Sequence, residues 1–176
     1  ALQAQTLHAI EEGGNDTARL AAYVAARIVD CHLATMERIG IRYELLAHES
    51  DILRLHFWER AFALLKEKGA IRLESEGKNA GCWVLSMEEG EEDDKIIVRS
   101  NGTVTYTGKD IAYQLWKLGK LDRDFRYKRH RTYDDGLVLW TSTSDEGEPG
   151  APVFGHAEAV YNVIDTRQAY LQLLLK

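Results

Sequence analysis

Residues 95–118 constrain the fold of this 176-residue chain more than any other stretch. Ile96-Ile97-Val98 and Thr103-Val104-Thr105-Tyr106 are rich in β-branched and aromatic residues, and Asn101-Gly102 stands between them. Asn-Gly accepts the positive φ angles of a tight type I′ turn, so 95–106 reads as a β-hairpin. Directly after it the apolar period lengthens. Ile111, Leu115 and Leu118 fall on one face of a helix over about 109–118.

Similar periodicities organise the rest. Leu20, Val24, Ile28, Cys31, Thr35 and Ile39 recur every three or four residues, which predicts a helix over 16–39 with that stripe inward. Asn15 or Asp16 can cap its start and Gly40 can end it. A short strand is expected at 42–46. Ser50 then opens a second helix over 51–68, with Leu53, Phe57, Ala61 and Leu64 inward and Gly69 as its stop. Residues 71–73 and 82–85 read as strands around the turn 77–81. Leu137-Val138-Leu139-Trp140 is β-like, Tyr161-Asn162-Val163-Ile164 reads as a buried strand, and 167–176 as the start of a helix. Strands that feed helices predict an α/β fold in a single unit. It divides into a mainly helical part (1–69), a β-rich part with the hairpin (70–106), a helix with a basic segment (107–131), and a closing β stretch, loop, strand and helix start (132–176).

Composition narrows the function. A net charge of -6 argues against general affinity for nucleic acid, which needs surplus Lys and Arg. A local patch is still allowed: 117–131 holds seven Lys or Arg, with Phe125 and Tyr127 interleaved, and reads either as a solvated face or as a contact for RNA. Residues 88–94 carry six acidic side chains in seven positions and read as a solvated loop. The six histidines show no ligand spacing. Cys31 and Cys82 lack CxxC spacing, which suggests buried thiols in a reducing compartment. No apolar run approaches a membrane span and no leader is evident, so a cytoplasmic chain is expected. The absence of an initial Met, and the ending at Leu173-Leu174-Leu175-Lys176 within a helical pattern, suggest a piece of something longer.

Tyr106, Asp110 and Gln168 are the candidate site residues. Tyr106 ends the second strand of the hairpin, Asp110 follows in the first turn of the helix, and Gln168 follows the strand 161–164. Ligands of α/β sheets bind at the carboxyl ends of strands, where these residues fall. A simple helix cap is the alternative role for Asp110. The four tryptophans, Trp58, Trp83, Trp116 and Trp140, read as core.

The same residues carry a family resemblance. The run from Gly102 to Lys117, with Tyr106-x-x-x-Asp110 and Ile111-Ala112-Tyr113, resembles the arginyl-tRNA synthetases. Asn162-Val163-Ile164-Asp165-Thr166-Arg167-Gln168 is similar to a later strand of that family, which ends in a substrate-facing glutamine, and Glu49-Ser50 is similar to a segment before the hairpin. The resemblance implies a class I synthetase with a Rossmann-like nucleotide fold and an inserted α+β region. Such an enzyme attaches arginine to tRNA with ATP and Mg. It implies that Tyr106, Asp110 and Gln168 hold the arginine.

Two departures accompany it. The chain has no His-x-Gly-His motif and no Lys-Met-Ser-Lys-Ser loop. The resemblance therefore implies an internal fragment of the catalytic domain, inactive alone, with no cofactor of its own. tRNA would be met by the full enzyme, with 117–131 as the candidate contact. A free-standing arginine-binding or RNA-binding module is the other reading.

Overall fold

The computed structural model describes residues 2–85, 95–169 and 172. The acidic run 88–94 and most of the helix expected at 167–176 lie outside them. The described chain forms two compact units: residues 1–46 with 129–141, and residues 47–128 with 142–176.

In the first unit, α1 (Leu2–Glu12) is followed by α2 (Asp16–Arg38). Asn15 caps α2, its side chain accepting from the Ala18 N–H at 2.9 Å. The strand β1 (Leu45–Leu46) lies parallel to β6 (Val138–Thr143), and β6 neighbours β5 (Arg126–Thr132), giving the sheet order β1-β6-β5. The division between units passes through β5 and β6. Leu33 on α2 packs with Tyr133 and Leu139, flanked by Val29 and Leu46.

This core corrects the expected inward stripe of α2. Leu20, Val24, Ile28 and Ile39 are exposed, as are Cys31 and Thr35, whereas Ala18 and Leu33 are buried. The helix carries apolar residues on more than one face. The face that is buried is the one turned toward Tyr133 and Leu139, whose positions periodicity does not encode.

The second unit is built on the antiparallel sheet β2 (Ile71–Leu73), β3 (Trp83–Leu85) and β4 (Lys95–Val98), in that order. The helix expected over 51–68 is two helices, α3 (Glu49–Arg54) and α4 (Phe57–Glu67). Between them His56 takes a left-handed φ of 59°. The break lets Asp51 and Ile52 on α3 and Phe57, Trp58 and Ala61 on α4 all be buried. A helix whose apolar positions drift off one stripe satisfies them by changing direction.

The hairpin is also modified. The Gly102 N–H donates to Arg99 O at 2.8 Å, and the Arg99 N–H to Thr103 O at 2.9 Å. Gly102 has φ +84°, while Asn101 is not in the positive-φ region. The turn is thus not type I′, which needs two positive φ angles; a single left-handed glycine closes it. The returning strand is short, with Val98 bridging Val104.

It is short because α5 (Tyr106–Lys117) begins early: the Thr105 side chain accepts from the Gly108 N–H and caps it. Gly108 lies where α5 crosses β4 and α4. A Cβ there would sit 2.9 Å from Val104, 3.1 Å from Ile97 and 3.1 Å from Trp58. Beside α5 the rings of Phe57, Tyr113, Trp116, Phe125 and Tyr127 pack in a chain of tilted, stacked and edge-on contacts.

Phe125 and Tyr127 are therefore core residues, not stacking platforms for bases. Trp58, Trp116 and Trp140 are buried and Trp83 is half-buried. Residues 161–164 form no strand, and Tyr161 and Val163 are almost fully exposed. A buried strand needs a paired neighbour on its backbone, and among the described residues none pairs with this one. The architecture is mixed α/β, with two three-stranded sheets among the described residues.

Candidate functional site

A recess in the second unit is lined by Ala47, His48, Glu49, Ile52, Asp110 and Tyr113. Two elements supply its polar groups. α3 brings Glu49, and the start of α3 is pinned by Ser142. Its Oγ accepts from the His48 N–H at 2.8 Å and donates to the buried Asp51 carboxylate at 2.7 Å.

α5 brings the rest. Tyr106, Asp110, Tyr113 and Lys117 are spaced four, three and four, so they form one stripe along that helix. Asp110 lies in the second turn, and the cap is Thr105. The helix-cap role for Asp110 is thereby removed, and the expected first-turn position is corrected by the earlier helix start.

The electrostatics of the stripe are coupled. Burial raises the Asp110 pKa, the nearby Glu49 carboxylate raises it further, and the Lys117 ammonium opposes both. Burial lowers the Lys117 pKa, and Asp110 resists that fall. Burial also raises the Tyr113 pKa. Glu49 is paired with Lys109 at 2.9 Å, which makes the side chain of Lys109 a largely covered partner of this wall rather than a surface residue. The Lys117 ammonium stands 4.5 Å from the centre of the Tyr113 ring, and that ring stacks on Trp116 at 5.2 Å.

Of the three residues singled out from sequence, only Asp110 lines the recess. Tyr106 is on the same stripe but 57% exposed. Gln168 is exposed, in the 3₁₀ turn Thr166–Gln168, where its N–H donates to Asp165 O at 2.9 Å. Glu49, Tyr113 and Lys117 were not singled out as site residues. The helical stripe through Asp110 would have found Tyr113 and Lys117; nothing local points from Asp110 to Glu49, which is 61 positions away. Two carboxylates with an aromatic wall can hold a cation with several donors. Among the described residues no group of His, Cys, Asp and Glu is arranged to hold a metal ion.

No family model matches the chain. It is 38% identical over 172 residues to the arginine–tRNA ligase of Thermococcus kodakarensis, covering 95% of this chain and 26% of that protein. It is 39% identical over 177 residues to the arginine–tRNA ligase of Thermus thermophilus, covering 98% and 28%. The solved Thermus thermophilus arginyl-tRNA synthetase superposes with a TM-score of 0.56 at 38% identity, over 69% of this chain and 21% of that one.

The chain is thus homologous to part of a tRNA-charging ligase. The family is that of the arginine–tRNA ligases, and the chain belongs to it over one region, spanning about a quarter of the length of these relatives.

Proposed function

We propose that this chain is the arginine-binding part of an arginine–tRNA ligase catalytic domain, with Asp110 as the principal guanidinium ligand. The observation that carries the reading is geometric: the Asp110 carboxylate and Glu49, from two different helices, line one recess. Two such carboxylates repel each other, and a bound cation relieves that repulsion. A guanidinium is a planar fork of donors that a carboxylate can accept in parallel, whereas an ammonium is a point charge, so the pair favours arginine over lysine. The Tyr113 ring walls the recess. Tyr106, one turn before Asp110, and Gln168, on the segment beyond α5, supply neutral polar contacts to the remaining donors.

In the complete ligase this region would form part of a Rossmann-like class I catalytic domain, working in the cytoplasm on arginine, ATP with Mg, and tRNA. This chain has neither the His-x-Gly-His nor the Lys-Met-Ser-Lys-Ser run. Its own contribution is to bind and orient the amino acid. Any tRNA contact through 117–131 reduces to phosphate positioning by exposed cations such as Arg123, because Phe125 and Tyr127 are buried.

The test is Asp110→Asn in the full-length ligase. The arginine KM should rise about tenfold or more while the ATP KM stays put. An unchanged arginine KM would refute the assignment.

A further inference from the structure

The last turn of α5 holds the segment 155–162 at several points. The Ala157 N–H donates to Lys117 O at 2.7 Å. Gly155 lies against Trp116, where a Cβ would meet the Trp116 carbonyl at 3.3 Å. His156 adopts a left-handed φ of 63°, and its imidazole rests on Gly119. A Cβ at Gly119 would lie 2.3 Å from the His156 Nδ1, and Gly119 itself has φ +65°. No side chain other than hydrogen fits there.

The fourth point is polar. Lys117 Nζ donates to Asn162 Oδ1 at 3.1 Å, and Asn162 Nδ2 donates to Gln172 Oε1 at 2.9 Å. One amide thus ties the helix that carries Asp110 to the chain on both sides of Gln168. An amide can do this because it holds an acceptor and a donor at once: an ammonium needs the first, and the Gln172 oxygen needs the second. Lys117 is well placed to anchor it, being half-buried, set over the Tyr113 ring and balanced by Asp110.

We infer that Asn162, anchored by Lys117, is a positioning residue for the amino-acid site, fixing where Gln168 stands relative to Asp110. This rests on the arginine-site reading above. Asn162 itself need not touch the substrate. Its bond to α5 gives an exposed segment that joins no strand among the described residues a defined register on the helix, and Gln168 gains a fixed place from it.

The experiment is a double-mutant cycle in the full-length ligase, using Asn162→Ala, Gln168→Ala and the pair, with arginine KM, ATP KM and thermal midpoint measured for each. Asn162→Ala should raise the arginine KM about fivefold or more, leave the ATP KM unchanged, and add little once Gln168 is already Ala. Gln172→Ala removes the other bond of the same amide and leaves the charges around Asp110 in place. It should also add little in the Gln168→Ala background, which keeps the question answerable if Asn162→Ala lowers the thermal midpoint. Fully additive effects, or an unchanged arginine KM in Asn162→Ala, would overturn the inference while leaving the Asp110 site standing. If Gln168→Ala itself leaves the arginine KM unchanged, the role of Gln168 falls, and this inference falls with it.

Discussion

Asp110 holds its proton more readily than an ordinary aspartate. Burial and Glu49 hold its pKa above the ordinary 3.8, with Lys117 only partly offsetting them. A carboxyl whose folded pKa exceeds its unfolded one binds its proton more tightly when folded. The stability this confers is complete below the unfolded value and is lost as pH rises through the raised one. The charged form of Asp110 is therefore less favourable to the fold than the neutral form, as expected of a residue proposed to meet a cation. Asp110→Asn should raise the thermal midpoint of the chain at pH 7. The gain should shrink as pH falls through the raised pKa and vanish below about 3.8, as calorimetry across pH would show. A midpoint at pH 7 lower than that of the parent would mean that Asp110 contributes to the fold as well as to the site. Binding runs the opposite way. Affinity for a cation should begin to fall, on acidification, at a higher pH than an ordinary aspartate would cause.

At the scale of elements, α5 joins fold to site, and Gly108 shows how closely it is seated. Replacing a helical glycine by alanine ordinarily gains about 1 kcal/mol of helix propensity. Here the added methyl would meet Val104, Ile97 and Trp58 at 2.9–3.1 Å. Overpacking of that kind costs roughly 1–3 kcal/mol. The steric cost should win, so Gly108→Ala is expected to lower stability in urea denaturation; an increase would show that β4 and α4 can move aside. The same early start of α5, capped by Thr105, turns the Tyr106–Asp110 pair from strand end and helix cap into two steps of a helical stripe. The split between α3 and α4 at His56 similarly leaves Glu49 on a short helix of its own, pinned through Ser142, where it can face Asp110.

At the scale of the whole molecule, the chain spans about a quarter of its relatives and lacks both synthetase signature runs. Joining an amino acid to ATP needs both held in one geometry. The 176-residue chain alone should therefore support no arginine-dependent exchange of pyrophosphate into ATP. Exchange above a buffer blank would show that nucleotide-binding groups are present and unrecognised. None of the described helices is long and apolar enough to cross a membrane.

Local chemistry was enough for much of this. The Asn15 cap of α2, the β-rich middle, the burial of Trp58, Trp116 and Trp140, and the placement of Asp110 on a helix behind a glycine turn all follow from side-chain type and spacing within a few residues. So does the family resemblance, because the run 102–117 is contiguous. Other features depended on residues far apart in sequence. Which apolar face of α2 is buried was set by Tyr133 and Leu139, about 100 positions from Leu33. The second carboxylate of the recess came from Glu49, and the anchor of the Gln168 segment from Lys117 and Asn162, 45 positions apart. Periodicity reports that a face is apolar and spacing reports that a carboxylate is on a helix. Neither carries the identity of what the fold brings against them, and a charge-coupled site is defined by that pairing.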